Sequence, residues 1–158
     1  MAFDRTNPAD LLALKTEVNT DPTGLGYAPD AGTGGLLDLL NGKNPATLVQ
    51  KPKISSAAVR SAVTYDAYNT LAIDEQEWLR WLTGSNGFEE ENLPVSADLR
   101  LQLTGDGTPT NSFWSAAQRT VMVAAMLAIM DVPGSRAEIL WGFGTSISRD
   151  DWIAARDS

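Results

Sequence analysis

The sequence predicts a mainly α fold: a single helical domain over residues 1–158, with roughly five to seven short helices joined by long ordered loops. Three observations favour it. Helix-capping patterns recur along the chain and are followed by apolar residues at helical spacing. An apolar stretch over 121–130 places a helix of about 113–130 at the centre of the core. A length of 158 residues with an apolar fraction of 43% suffices for one packed core.

The N-terminal segment predicts a helix followed by a tight turn. Asn7 can cap the helix and Pro8 suits its first position. The helix should end near Thr20, because Pro22 disfavours helical geometry in the residue before it. The order Asp-Pro-Thr-Gly over 21–24 is typical of a type I turn. We therefore expect the chain to reverse there and Tyr27 to pack against the first helix.

The sequence over 28–53 predicts a flexible loop and an extended connector within the domain. The loop is rich in glycine, and two prolines interrupt the connector. Between them, the leucines of 36–40 predict one short amphipathic helix that ends at Asn41.

Capping residues predict the starts of the next helices. Ser55 or Ser56 can cap a short helix, and Asp74 with Glu77 three residues later has the order of a capping box. Residues 96–103 suit either a helix or, by the alternation of their leucines, a strand. We prefer the helix.

The C-terminal third predicts the longest helix and two short ones. Ser112 can cap the helix over about 113–130. Ser135 and Glu138 have the spacing of a capping box, and Gly142 provides the exit from that helix. Ser148 repeats the pattern before a final helix.

Composition excludes several classes of function. The chain has no Cys and no His, so thiolate nucleophiles, imidazole bases and zinc sites built on these residues are absent. Twelve basic and twenty acidic side chains give a net charge of −8, which weighs against binding to nucleic acid. The most apolar stretch is too short to span a bilayer, and the first residues lack the pattern of a signal peptide.

Two weak motifs are better explained by structure than by chemistry. Glycines over 31–35 could cradle a phosphate, but the spacing of a phosphate-binding loop is missing. The acids of 89–91 and 150–151 could hold a hard cation, but neighbouring side chains rarely point into one site. We predict no catalytic, cofactor-binding or metal-binding residue.

Aromatic residues point to interfaces. Five Trp are many for a chain of this size, and Trp is enriched where proteins meet. Phe88, Trp141, Phe143 and Trp152 lie beside glycine-rich or polar breaks, where burial within the chain is harder. We expect these four side chains to be exposed in the isolated chain and covered by neighbours. The candidate interface residues are Tyr27, Phe88, Trp141, Phe143 and Trp152.

Two segments resemble a family of small proteins encoded among the structural genes of tailed bacteriophages. They are 20–28, with the sequence TDPTGLGYA, and 134–156, which carries SRAE, a glycine turn and a polar-capped last helix. The sequence departs from the family pattern at 31–35 and at 139–141. The resemblance implies a helical virion protein and brings no catalytic residues with it.

The resemblance implies a structural component of the head–tail connector (a neck or adaptor protein) or of the adjoining tail. Such a protein would form a homo-oligomeric ring in the virion after synthesis in the host cytoplasm. Its partners would be portal, connector or tail proteins, with no membrane, no sequence-specific nucleic acid and no cofactor. Two alternatives stay open: a non-virion phage protein, either an assembly helper or a host-directed binder, and an enzyme that uses carboxylates alone.

Overall fold

The computed structural model describes residues 2–28, 33–84, 92–105 and 112–158. These residues form a mainly helical protein with four short strands, so the predicted fold class is confirmed. The described part of the chain contains nine helices, more than expected, because short helices follow one another between 56 and 82. The elements are α1 (Pro8–Thr20), α2 (Thr33–Asn41), β1 (Asn44–Gln50), β2 (Lys53–Ser55), α3 (Ser56–Ala62), α4 (Tyr65–Asn69), α5 (Ile73–Leu82), β3 (Asn92–Pro94), α6 (Ala97–Thr104), α7 (Arg119–Met130), β4 (Asp131–Gly134), α8 (Arg136–Trp141) and α9 (Arg149–Asp157).

The chain divides into two compact units. Unit 1 takes Met1–Val49 and Pro133–Ser158, and unit 2 takes Gln50–Val132. The extended connector predicted within 28–53 contains strand β1, which pairs with β4 in one two-stranded sheet. The second sheet pairs β2 with β3 in antiparallel register, with Ile54 opposite Leu93.

Unit 1 is built on α1, α2, α8 and α9. Its start follows the sequence prediction, because the Asn7 side chain accepts a hydrogen bond from the Ala9 amide and Pro8 begins α1. Helix α1 packs against α9, and α2 packs against α8 and α9. The core of unit 1 consists of Leu14, Val18, Leu36, Leu40, Ala137, Trp141, Ile147, Trp152 and Ala155.

The predicted turn after α1 is present. The Gly24 amide donates to the Asp21 carbonyl at 3.0 Å. Asp21 itself adopts a left-handed conformation with φ of 40°, and its carboxylate accepts from the amides of Leu25 and Gly26. Asp21 therefore both ends the helix and holds the following loop, a role that the turn pattern alone did not predict.

Unit 2 has its own core, to which α7 contributes four buried side chains. Helices α3 and α6 pack against α7. The helix preferred for 96–103 is confirmed as α6, capped by Ser96, and Ser55 caps α3. The buried residues are Ile54, Val59, Ala67, Leu71, Leu79, Leu82, Val95, Leu99, Leu103, Trp114, Met122, Val123, Met126 and Met130.

Two predicted helix starts in unit 2 are wrong. Helix α7 begins at Arg119 rather than near 113, because Phe113 and Trp114 both turn towards the core. Residues 112–118 lead into α7 as bends and turns rather than as helix. The Trp114 indole instead donates to the Leu103 carbonyl at 2.8 Å.

Helix α5 begins before the predicted capping box. Its first residue is Ile73, and the Glu75 carboxylate accepts from the Ala72 amide at 2.8 Å. Glu75 therefore takes the role that the sequence analysis gave to Glu77. Ala72 has no side-chain acceptor, so only half of a capping box forms.

Candidate interaction sites

The predicted interface residues that the structure describes differ in their exposure to solvent. Trp141 and Trp152 are only 5% and 2% exposed, so the expectation that they are exposed is wrong. Both belong to the core of unit 1. There the Trp141 and Phe3 rings pack edge-to-face, with their centroids 5.2 Å apart. Phe143 is 44% exposed and remains available to a partner. Phe88 lies outside the described residues.

Tyr27 packs against α1, as predicted. Its hydroxyl donates to Glu17 Oε1 at 3.2 Å, and its ring lies against the core of unit 1. Burial and the neighbouring Glu17 carboxylate raise the pKa of Tyr27. Arg136 completes the cluster, since its Nε and Nη2 donate to the two oxygens of Glu17 at 2.7 and 2.8 Å. Because the three side chains bind one another, we assign them a structural role.

Glu138 is a second buried carboxylate in unit 1. It accepts hydrogen bonds from the Ser135 amide at 2.8 Å, the Gly144 amide at 3.0 Å and the Lys43 ammonium. Burial alone would raise the pKa of Glu138, but these three donors outweigh it and lower the pKa to about 2. The carboxylate is thus held ionised as a cap for α8 and for the turn after it, which is the capping box predicted at Ser135.

Unit 2 exposes large apolar side chains that the sequence analysis did not single out. Tyr65, Ile73 and Trp81 are 79%, 77% and 74% exposed. Ile73 and Trp81 stand eight residues apart on α5, about 12 Å along its axis, on the side opposite the buried Leu79 and Leu82. We call Ile73 and Trp81 the outer face of α5. The helical period puts Ile73 and Trp81 opposite Leu79 and Leu82. Their exposure could therefore have been predicted from the sequence if the buried side of α5 had been known.

A groove opens among α3, α4 and α5 in unit 2. Its volume is about 410 Å³, and its walls include Arg60, Val63, Tyr65, Tyr68, Leu79 and Arg80. The Arg60 guanidinium donates to the Thr83 carbonyl, and the Arg80 guanidinium lies 5.6 Å from the centre of the Tyr68 ring. The groove thus combines apolar walls with two positive charges.

Two further features are absent from the described residues. No group of three or more Asp or Glu residues in that part of the chain is arranged to hold a metal ion. No helix formed by those residues is long and apolar enough to cross a membrane.

Comparisons with known proteins gave no relative. No protein-family model matches the sequence. No curated protein and no solved structure matches the chain either.

Proposed function

We propose that this chain is a structural protein of a tailed-bacteriophage particle, a small helical component of the head–tail connector or the adjoining tail. The motivation is the resemblance carried by 20–28 and 134–156. In this role the protein acts by contact with other phage proteins and with further copies of itself in a ring.

The observation that best supports an assembly role is the exposed outer face of α5. A Trp side chain has an area of about 150–250 Å² and is among the residues that most often dominate binding energy at interfaces. The Trp81 side chain is mostly exposed to solvent, whereas the opposite side of α5 is apolar and buried. A neighbouring chain that covered Trp81 and Ile73 would gain the free energy of removing this surface from water.

Packing of the segments that carry the resemblance supports a scaffold role. The turn over 20–28 and helix α8 are fixed by Tyr27, Glu17, Arg136 and Glu138, which bind one another or Lys43. Their polar atoms serve the fold of unit 1, which suits a protein whose work is done by its surface. The absence of Cys and His from the sequence points the same way.

The test is quantitative mass spectrometry of particles made by the genome that encodes the chain. A connector or tail component is expected in every preparation, at a fixed number of copies relative to the other structural proteins. Absence of the chain from density-purified particles would contradict the proposal and favour the alternative of a non-virion assembly helper or host-directed binder.

A pair of variants tests whether the outer face of α5 takes part. Trp81→Ser is expected to lower the amount of chain incorporated into particles, whereas Trp81→Phe, which keeps an aromatic ring, should be incorporated more fully. Both changes lie on the surface, so the unfolding midpoint of the isolated chain should stay close to that of the unsubstituted protein. Full incorporation of Trp81→Ser would remove the outer face of α5 from the proposal.

A further inference from the structure

We propose that the groove among α3, α4 and α5 binds an acidic peptide segment of a partner protein, with one apolar side chain in the groove and a carboxylate against Arg60. This inference goes beyond the proposed function, because it holds for any partner that carries such a segment.

The shape of the groove fits one or two side chains. A volume of about 410 Å³ lies within the range of pockets that hold organic ligands. Val63 and Leu79 supply aliphatic walls, and Tyr65 and Tyr68, three residues apart, present their rings from the same side of α4. A Leu or Phe side chain entering between them would exchange water for apolar contact on several sides.

The charge of the groove selects an acidic segment. The chain as a whole carries a net charge of −8, yet none of the described lining residues is Asp or Glu and two are Arg. A guanidinium has five N–H donors, and the bond from Arg60 to the Thr83 carbonyl uses only part of that set. Arg60 can therefore keep its bond within the chain while it binds a carboxylate.

A peptide suits the groove better than a nucleic acid. Binding to a phosphate backbone needs an extended cationic face, which a net charge of −8 opposes. The groove also opens beside Tyr65, which is exposed, and Tyr is enriched at protein interfaces.

The experiment titrates the full chain with capped peptides and follows the amide and arginine Nε–H signals by NMR. The probe is acetyl-Gly-Asp-Leu-Glu-Gly-amide, and its neutral match is acetyl-Gly-Asn-Leu-Gln-Gly-amide. We expect saturable changes at Arg60 and at the residues of α4 with the acidic peptide, and weaker binding of the neutral one. Free 4-methylpentanoate tests whether an organic acid alone suffices.

The variants are Arg60→Lys and Arg60→Gln, because both alter the bond to the Thr83 carbonyl and only the second removes the charge. Arg60→Gln should bind the acidic peptide about fivefold more weakly than Arg60→Lys, the upper end for an exposed ion pair. Arg149→Gln, at an exposed arginine on α9, is the matched control and should leave binding unchanged.

Four results would overturn the proposal. They are no saturable change with the acidic peptide, equal binding of the neutral peptide, an equal loss in Arg149→Gln, and 4-methylpentanoate binding as tightly as the peptide. The last result would assign the groove to a small organic acid. None of these results bears on whether the chain is present in phage particles.

Discussion

Glu138 is a buried side chain that ties together separate parts of unit 1. Its carboxylate joins Lys43, which follows α2, to Ser135 at the start of α8 and to Gly144 in the turn after it. A charge that is buried and paired in this way stabilises the fold only while it stays ionised. The contribution of Glu138 to stability should therefore depend on pH.

The sign of that dependence follows from the pKa of Glu138, which is about 2 in the folded chain against an ordinary value of 4.5. Because folding lowers the pKa, the stabilisation is complete above pH 4.5 and is lost as the pH falls from 4.5 towards 2. A difference of this size is worth about 3 kcal/mol. Urea unfolding of the unsubstituted chain and of Glu138→Gln at several pH values measures it. The gap between the two proteins should shrink as the pH falls through this range, and a gap that is constant with pH would contradict the assignment.

Ser135 and Ser148 form a matched pair of helix caps. Each hydroxyl accepts a bond of 3.2 Å from the amide three residues later, but Ser135 is buried and Ser148 is exposed. Ser135→Ala should lower the free energy of unfolding by about 1 kcal/mol or slightly more. Ser148→Ala should lower it by about 0.5 kcal/mol, because water can reach the amide that loses its partner. Chemical denaturation of both variants makes the comparison, and an equal or larger loss at Ser148 would show that burial of the cap does not matter.

At the scale of single elements, helix starts were the most predictable feature. Asn7, Ser135 and Ser148 each cap a helix where the sequence pattern predicts one, and Ser55 is the one of the two proposed serines that caps α3. A cap is a bond between residues two or three apart, so the local sequence specifies it almost completely.

The start of α7 was missed because distant contacts decide it, whereas the start of α5 is set locally by Glu75 rather than Glu77. Phe113 and Trp114 are drawn into the core of unit 2 by Trp78 and the Leu103 carbonyl, and neither partner is near in sequence. The short strands escaped prediction for the same reason. Strand β2 has only three residues, too few for an alternating pattern, and exists because β3 pairs with it.

Strands β1 and β4 approach each other closely within unit 1, and a substitution at Gly134 can test their pairing. A Cβ added at Gly134 would stand 2.6 and 2.8 Å from the two methyl carbons of Val49. Gly134→Ala should therefore lower the free energy of unfolding by about 1–3 kcal/mol, since the branched side chain of Val49 has little freedom to move away. Thermal or urea denaturation measures the loss.

The matched variant is the double substitution Gly134→Ala with Val49→Ala. Removal of the two methyl groups opens the space that the new Cβ needs, so this variant should be more stable than the sum of the two single changes predicts. Additive losses would mean that the two residues do not meet as the structure places them.

At the scale of the whole molecule, the sequence predicted the helical class but not which aromatic residues face solvent. Trp141 and Trp152 lie beside breaks in the chain and are nevertheless buried, whereas Trp81 lies inside a helix and is exposed. Position relative to a break says little about burial, because a break can direct a side chain inward. The face of a helix decides burial, and that face is set by the elements packed against it.

The groove in unit 2 could not be predicted for a related reason. Arg60, Tyr68 and Arg80 lie on three different helices and form no sequence motif. Only the packing of α3, α4 and α5 brings two positive charges to one concavity in an acidic chain. Its peptide-binding role and the role of the chain in a phage particle are separate claims with separate tests.

The central claim is that neighbouring proteins in a phage particle cover the outer face of α5. Hydroxyl-radical footprinting with mass spectrometry, applied to purified particles and to the isolated chain, tests it most directly. Trp81 should be oxidised several-fold more slowly in particles than in the free chain, whereas Trp152, buried within the chain itself, should react slowly in both. Oxidation of Trp81 at the same rate in particles as in the free chain, or absence of the chain from particles, would contradict the account.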